Sequence, residues 1–265
     1  MSTKARARMN STGAPVFRYG LICPQNNGQP IVQMRQSGAA LRSISANGDK
    51  FAMIWKSYYY QQAGYYSNFF YAGNPNGDFA SETAYIGCHP YPDGGGTTPT
   101  THKFEVSHDF TDTVDDDNAN STVVTKNQWY THYVTMSVVA GGMQVKFYWD
   151  ILNSTNKVIS TTGSWSTSQT TPCFCMLSTC WESYALQETA YGITRGIQMY
   201  NDIPTLADAQ IEAANDTSNT PVTAWGVSHV HYMNQNPTPS DITDKSGAGH
   251  NFAWLNANRP TLWTG

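Results

Sequence analysis

The chain has 265 residues, a formal net charge of −4 and only 13% charged residues beside 40% hydrophobic ones. That length carries one large β domain or two small ones and can bury a core without disulfides. With 15 Lys+Arg against 19 Asp+Glu and no basic stripe beyond the N-terminus, a phosphate-driven nucleic-acid footprint is excluded, and no apolar run of about 18 residues offers a membrane span.

The missing charge is replaced by Ser, Thr, Asn, Gln, Gly and Tyr. Such a surface suits repeated hydrogen bonding to neutral polar partners such as glycans, or packing against copies of the chain itself. Residues 1–15 open with MSTKARARMNST, a basic arm. It lacks an apolar h-region, so it does not read as a secretory signal. The body, 16–225, is dominated by alternation. FAMIWKSYYY (51–60), THKFEVSHDF (101–110), WYTHYVTMSVV (129–139) and MQVKFYWDIL (143–152) are short aromatic and β-branched runs bounded by turn residues. Gly141-Gly142 between the last two signals a hairpin. Polar loops at 74–77, 91–101 and 111–122 separate strands.

ITRGIQMYN reads as a further strand. IPTLADAQIEAAN (203–215) reads as one short helix with Thr205 as its N-cap. Turns recur about every ten residues and no linker divides the body, which predicts a single all-β sandwich. The end, 226–265, carries SHVHYMNQ, DITDKSGAGHN and a closing Trp; ordered C-terminal strands packed on the same sandwich are expected, with Trp254 and Trp263 buried. Cysteines stand at 23, 88, 173, 175 and 180. The odd count leaves at least one free thiol. The Cys173-x-Cys175 spacing fits buried small side chains better than the paired knuckles of a zinc site.

NQWYTHYVTMSVVAGGMQVKFYWD resembles the central hairpin of laminin G-like, concanavalin A-like lectin/glucanase domains, through Trp129, Tyr130, His132, Val134, Thr135, Gly141, Gly142, Tyr148 and Asp150. YGITRGIQMYNDIPTLADAQIEA is similar to that superfamily's last core strand and short helix, through Gly192, Ile197, Met199, Tyr200, Asn201, Leu206, Ala209 and Ile211. The family's acid in that strand is replaced by Arg195 or Gly196. The terminal D-x-S-G-x-G-H turn resembles the family's first segment, displaced to the end. The resemblance implies a concanavalin A-like jelly-roll β-sandwich, either circularly permuted or carrying an added terminal ribbon.

Catalytic patterns are wanting. The superfamily's glucanases place E-x-D-x-x-E on one strand, and no such run occurs. Glu105 and Asp109 in FEVSHDF share a strand face, as expected of a wet face, and no lyase-type Gln-x-His pattern is convincing. His229 and His231 share a face and read as structural. Calcium is implied by the resemblance, and acidic loops offer Asp241, Asp244 and Asp116 as candidate ligands.

The strongest functional signal is WKSYYYQQAGYYSNFFYAGNPNG (55–77), where Trp55, Tyr58, Tyr60, Tyr65 and Tyr66 are the expected binding residues. On strands, half of such aromatics face outward. An outward Tyr or Trp offers a flat apolar face with a polar tip.

The expected function is therefore a non-catalytic recognition module for a polysaccharide, surface glycan or surface partner. One alternative is a structural assembly protein, such as a phage decoration, neck or fibre component whose partners are its own copies or a capsid or fibre protein. Another is a polysaccharide lyase or hydrolase. Without a signal peptide, the expected location is a virion or other extracellular surface after assembly, and otherwise the cytoplasm.

Overall fold

The computed structural model describes residues 8–9, 15–16, 19–23, 34–37, 48–59, 70–73, 86–92, 101–108, 113–114, 124–125, 127–140, 142–154, 159–163, 173–176, 192–215, 218, 220–222, 229–233, 243–247, 249, 251–254 and 261–264. In chain order the strands are β1 (Arg8–Met9), β2 (Pro15–Val16), β3 (Tyr19–Cys23), β4 (Met34–Ser37), β5 (Lys50–Tyr59), β6 (Phe70–Gly73), β7 (Ile86–Pro92), β8 (Thr101–His108) and β9 (Thr113–Val114). They continue as β10 (Val124–Thr125), β11 (Trp129–Val139), β12 (Gly142–Tyr148), β13 (Ile159–Gly163), β14 (Cys173–Met176) and β15 (Gly192–Tyr200). After the helix α1 (Leu206–Ala214) come β16 (His229–Met233), β17 (Ala253–Trp254) and β18 (Thr261–Thr264).

Two antiparallel sheets of eight strands take up all but β1 and β2. One runs β13-β12-β11-β5-β15-β3-β18, with β16 also on β15. The other runs β10-β8-β7-β6-β14-β4-β17, with β9 on β8. The chain switches sheets at β3–β4, β4–β5, β5–β6, β10–β11, β13–β14, β14–β15, β16–β17 and β17–β18. Such repeated crossing is the wiring of a jelly-roll β-sandwich, so the all-β class with one short helix holds. The C-terminal strands join both layers: β16 pairs with β15, β17 with β4 and β18 with β3. The side chains of Trp254, Trp263, the five cysteines, Glu105, Asp109, His229 and His231 lie outside the described residues.

The first sheet is built on β5, held between β11 and β15. Phe51 through Ser57 are all buried, as is every residue of β15. Period-two alternation therefore gives β5 two covered faces. Phe51, Met53, Trp55 and Ser57 line the inner one, opposite Met136, Val134, His132 and Tyr130 of β11. Ala52, Ile54, Lys56 and Tyr58 line the outer one.

Helix α1 covers one end of the outer face. Ala209 and Ala213 pack on Ala52, Ile54, Tyr133, Ile151 and Tyr200, with Tyr148 and Leu206 at the margin. Alanine at both positions lets the helix approach the sheet closely. Tyr133 Oη donates to Pro204 O (2.6 Å), Gln210 Nε2 to Ile151 O (2.7 Å) and Val222 N to the buried Glu212 Oε1 (2.5 Å), which pins the helix along its length.

Thr205 caps the helix as the sequence predicts. Asp208 N donates to Thr205 Oγ1 (3.2 Å), and that hydroxyl donates to Asp208 Oδ2 (2.6 Å), which holds it in place as the N-cap.

Local geometry departs from the sequence reading in two places. Val139 pairs with Gly142, so the hairpin turn lies one residue ahead of the two glycines. The strand expected to reach residue 152 stops at Tyr148, because Asp150 organises a turn. Asp150 Oδ2 accepts from Asn153 Nδ2 (2.7 Å), and Asp150 O accepts from Ser154 N (2.8 Å). Burial raises the Asp150 carboxyl above its usual range, while hydrogen bonds from the Asn153 side chain and from the Thr131 and Leu152 backbones pull it back.

Removing the cap by Thr205→Ala should lower stability by about 1 kcal/mol. Differential scanning calorimetry would read this as a Tm lowered by a few degrees, with the sheet content unchanged.

Candidate functional site

Trp55 is fully buried, which corrects its assignment as an exposed platform. Its odd position places it on the inner face. There its ring lies 4.7 Å from His132 and 6.1 Å from Phe147, centroid to centroid, and His132 stacks on Phe147 at 5.8 Å. Ser57 Oγ is 2.5 Å from His132 Nε2. Both residues are wholly enclosed, so this Ser–His contact is a core polar pair that presents nothing to a substrate. Burial depresses the His132 pKa to about 3, and a backbone hydrogen bond with Trp149 opposes it only in part. His132 is thus a neutral core side chain at ordinary pH.

Tyr58 has the opposite parity and lies on the outer face, half-buried. Register sets it beside Trp129 of β11 and Ile193 of β15. The Tyr58 and Trp129 rings are 5.5 Å apart and tilted by 58°. The next row inward holds Arg195, Lys56 and Thr131, again side by side. Arg195 Cζ sits 5.1 Å from the Trp129 ring centroid, a cation–π geometry. Lys56 is 4% and Arg195 5% exposed, while the two rings keep part of their faces in solvent.

A backbone irregularity helps to place this row. Arg195 pairs with Lys56 but Gln198 pairs with Ile54, so β15 carries one extra residue. Gly196 takes it up at φ 67°, a conformation that favours glycine. The outer face therefore carries the helix at one end and an aromatic–cation cluster at the other. The two ends are about 20 Å apart along β5.

Tyr60, Tyr65 and Tyr66 lie outside the described residues. Trp129 and Arg195 complete the cluster, and sequence reasoning treated both as fold markers only. The signal that joins them to Tyr58 is strand pairing across 71 and 137 positions, which no local pattern carries.

Of the calcium candidates, Asp241 and Asp116 lie outside the described residues. Asp244 organises its own turn. Its Oδ1 accepts from Ser246 N (2.8 Å), and its Oδ2 accepts from Ser246 Oγ (2.7 Å) and Gly249 N (2.9 Å). Asp244 N in turn donates to Asn251 Oδ1 (2.8 Å). Gly247 and Gly249 take φ 85° and 79°, so DKSGAGHN is a carboxylate-centred turn. Among the described residues no three His, Cys, Asp or Glu side chains gather as a metal site would require.

The depressed His132 pKa has a consequence for stability. Between about pH 6.5 and about 3 the unfolded chain binds a proton that the folded chain refuses, so stability is full above that window and is lost as pH falls through it. Urea unfolding at a series of pH values below 7 should show a downward trend of up to about 1.4 kcal/mol per pH unit from this group, and His132→Gln should flatten it.

No protein-family model and no curated protein sequence matches this chain. Solved structures of similar backbone shape include a native heptameric SAP-like pentraxin from Limulus polyphemus, at TM-score 0.47 and 8% identity over 94% of each chain. Another is the enzymatically active domain of tailspike protein 2 from bacteriophage CBA120, at TM-score 0.43 and 10% identity. That match covers 87% of this chain and 34% of the tailspike chain. A third is a conserved carbohydrate esterase from the Shiga toxin-encoding bacteriophage phi24B, at TM-score 0.33 and 10% identity over 72% of this chain and 95% of that one.

Proposed function

We propose that this protein is a non-catalytic recognition module that binds a glycan on the outer face of its first sheet, at the partly exposed rings of Trp129 and Tyr58, with the buried Arg195, Lys56 and Thr131 supporting them. The observation that carries this reading is the pair of partly exposed rings, Tyr58 and Trp129, backed by the Arg195 guanidinium 5.1 Å from the Trp129 ring. A pyranose offers an apolar C–H face and a rim of hydroxyls. Two tilted rings take the C–H face, and the Tyr58 hydroxyl and the Trp129 ring N–H are the polar tips that can meet the hydroxyl rim. Setting Arg195 against the ring fixes both groups, so little side-chain freedom is lost on binding.

A binding role is favoured over bond cleavage by the local work that four of the described acids already do. Asp150 and Asp244 organise turns, Asp208 closes the helix cap and Glu212 anchors the segment at Val222. A hydrolase of the usual kind needs two carboxylates facing each other about 5–10 Å apart, and these four are spread over separate local tasks.

Trp129→Ala should weaken binding of the best ligand on a polysaccharide and oligosaccharide array by about tenfold or more, close to 1.4 kcal/mol, while the far-ultraviolet spectrum stays that of a β protein. Arg195→Lys keeps the charge and loses the planar stacking group, so a smaller loss is expected. An array on which wild type binds nothing, or on which Trp129→Ala binds as well as wild type, would remove this reading.

A further inference from the structure

Gly20 of β3 has no side chain, and the space a side chain would need is already taken. The residue is buried. A Cβ added to it would lie 3.1 Å from Ile193 Cγ2, 3.2 Å from Thr194 O and 3.3 Å from Arg195 Cβ. Ordinary contact between carbon atoms is about 3.5–4.0 Å. At a common strand position alanine is the more stable residue, so the glycine is there for space.

None of the three atoms can swing aside. Thr194 O is backbone, Arg195 Cβ is the root of its side chain, and Ile193 Cγ2 belongs to a β-branched side chain with little rotamer freedom. All three residues are buried. β3 cannot step away either, because it lies between β15 and β18, and Gly20 itself pairs with Trp263. A methyl at Gly20 must therefore shift β15 at 193–195. That stretch sets Ile193 beside Tyr58 and Arg195 beside Lys56, and it brings Arg195 Cζ to 5.1 Å from the Trp129 ring.

We infer that Gly20 is a positioning residue for the ring pair of Trp129 and Tyr58. It lets β3 lie close enough to β15 for Arg195 to back the Trp129 ring, and it acts through Arg195 alone. Gly196 sets the path of β15 on one side of Arg195, and Gly20 clears the space on the other. Its effect on ligand binding rests on the glycan reading above; its effect on the ring does not.

Fluorine NMR of the full chain labelled with fluorotryptophan tests this without a ligand. Trp129→Phe and Trp55→Phe identify those two resonances among the eight tryptophans. Gly20→Ala should shift the Trp129 resonance and leave that of Trp55, on the inner face, in place. Arg195→Ala should also shift the Trp129 resonance, and adding Gly20→Ala to it should have no further effect, because substitutions acting through one contact do not add. On the polysaccharide and oligosaccharide array, Gly20→Ala should weaken the signals that Trp129→Ala weakens, by about threefold or more. A Trp129 resonance that Gly20→Ala leaves unmoved, or moves equally with and without Arg195, overturns the inference. So does a Gly20→Ala chain that fails to fold both alone and with Ile193→Leu, which removes the nearest contact, because Gly20 then holds the sheet and not the ring. An array that Trp129→Ala weakens and Gly20→Ala does not overturns it as well, and keeps the glycan reading. An array on which wild type binds nothing removes that reading, while a shifted Trp129 resonance still upholds Gly20 as the residue that places the ring.

Discussion

The constraint on which the structure depends is that β5 and its two neighbours bury both faces. A sheet with one wet face needs only one partner layer, and its strands alternate apolar and polar residues. Here Phe51 to Ser57 are enclosed throughout, so the first sheet needs a second layer on each side. The opposing sheet supplies one. The helix supplies the other over the end of β5 that carries Ala52 and Ile54, and it can do so because Ala209 and Ala213 add almost nothing to its thickness. The same enclosure dictates how polar core atoms behave. His132 and Ser57 meet within the inner face, since a buried polar group without a partner costs about 1–3 kcal/mol.

Double burial also explains what the sequence conveyed and what it did not. Local features were readable because their causes are local. Thr205 caps α1 through Asp208, three residues on, and Asp244 gathers its turn within five residues. Strand positions were readable from period two. Orientation was harder to read. Trp55 and Tyr58 stand three positions apart and so point to opposite faces, yet both sit in one aromatic-rich stretch. Alternation says that half of such a run points each way. It does not say which half meets a covering layer.

Composition alone cannot fix a metal site either. Asp244 has the right ligand chemistry, and the structure shows Ser246 and Gly249 donating to both its oxygens within one turn. A count of acids in a loop gives no sign of that. Trp129 shows the remaining gap. Its motif marks a strand, and its use emerges only when antiparallel pairing sets it against Tyr58 and brings Arg195 across from β15. The sequence places each of these residues on a strand; the register of three strands places them together.

The outer face is divided between a helix-covered end and an aromatic–cation end, and one strand has to serve both. Tyr200 and Gln198 keep register with Ala52 and Ile54 at the end the helix covers, while Arg195 keeps register with Lys56 beside Trp129. Without the extra residue of β15 these two registers would be incompatible. Gly196, at φ 67°, absorbs it, so the placement of the guanidinium beside the Trp129 ring depends on a backbone conformation that favours glycine.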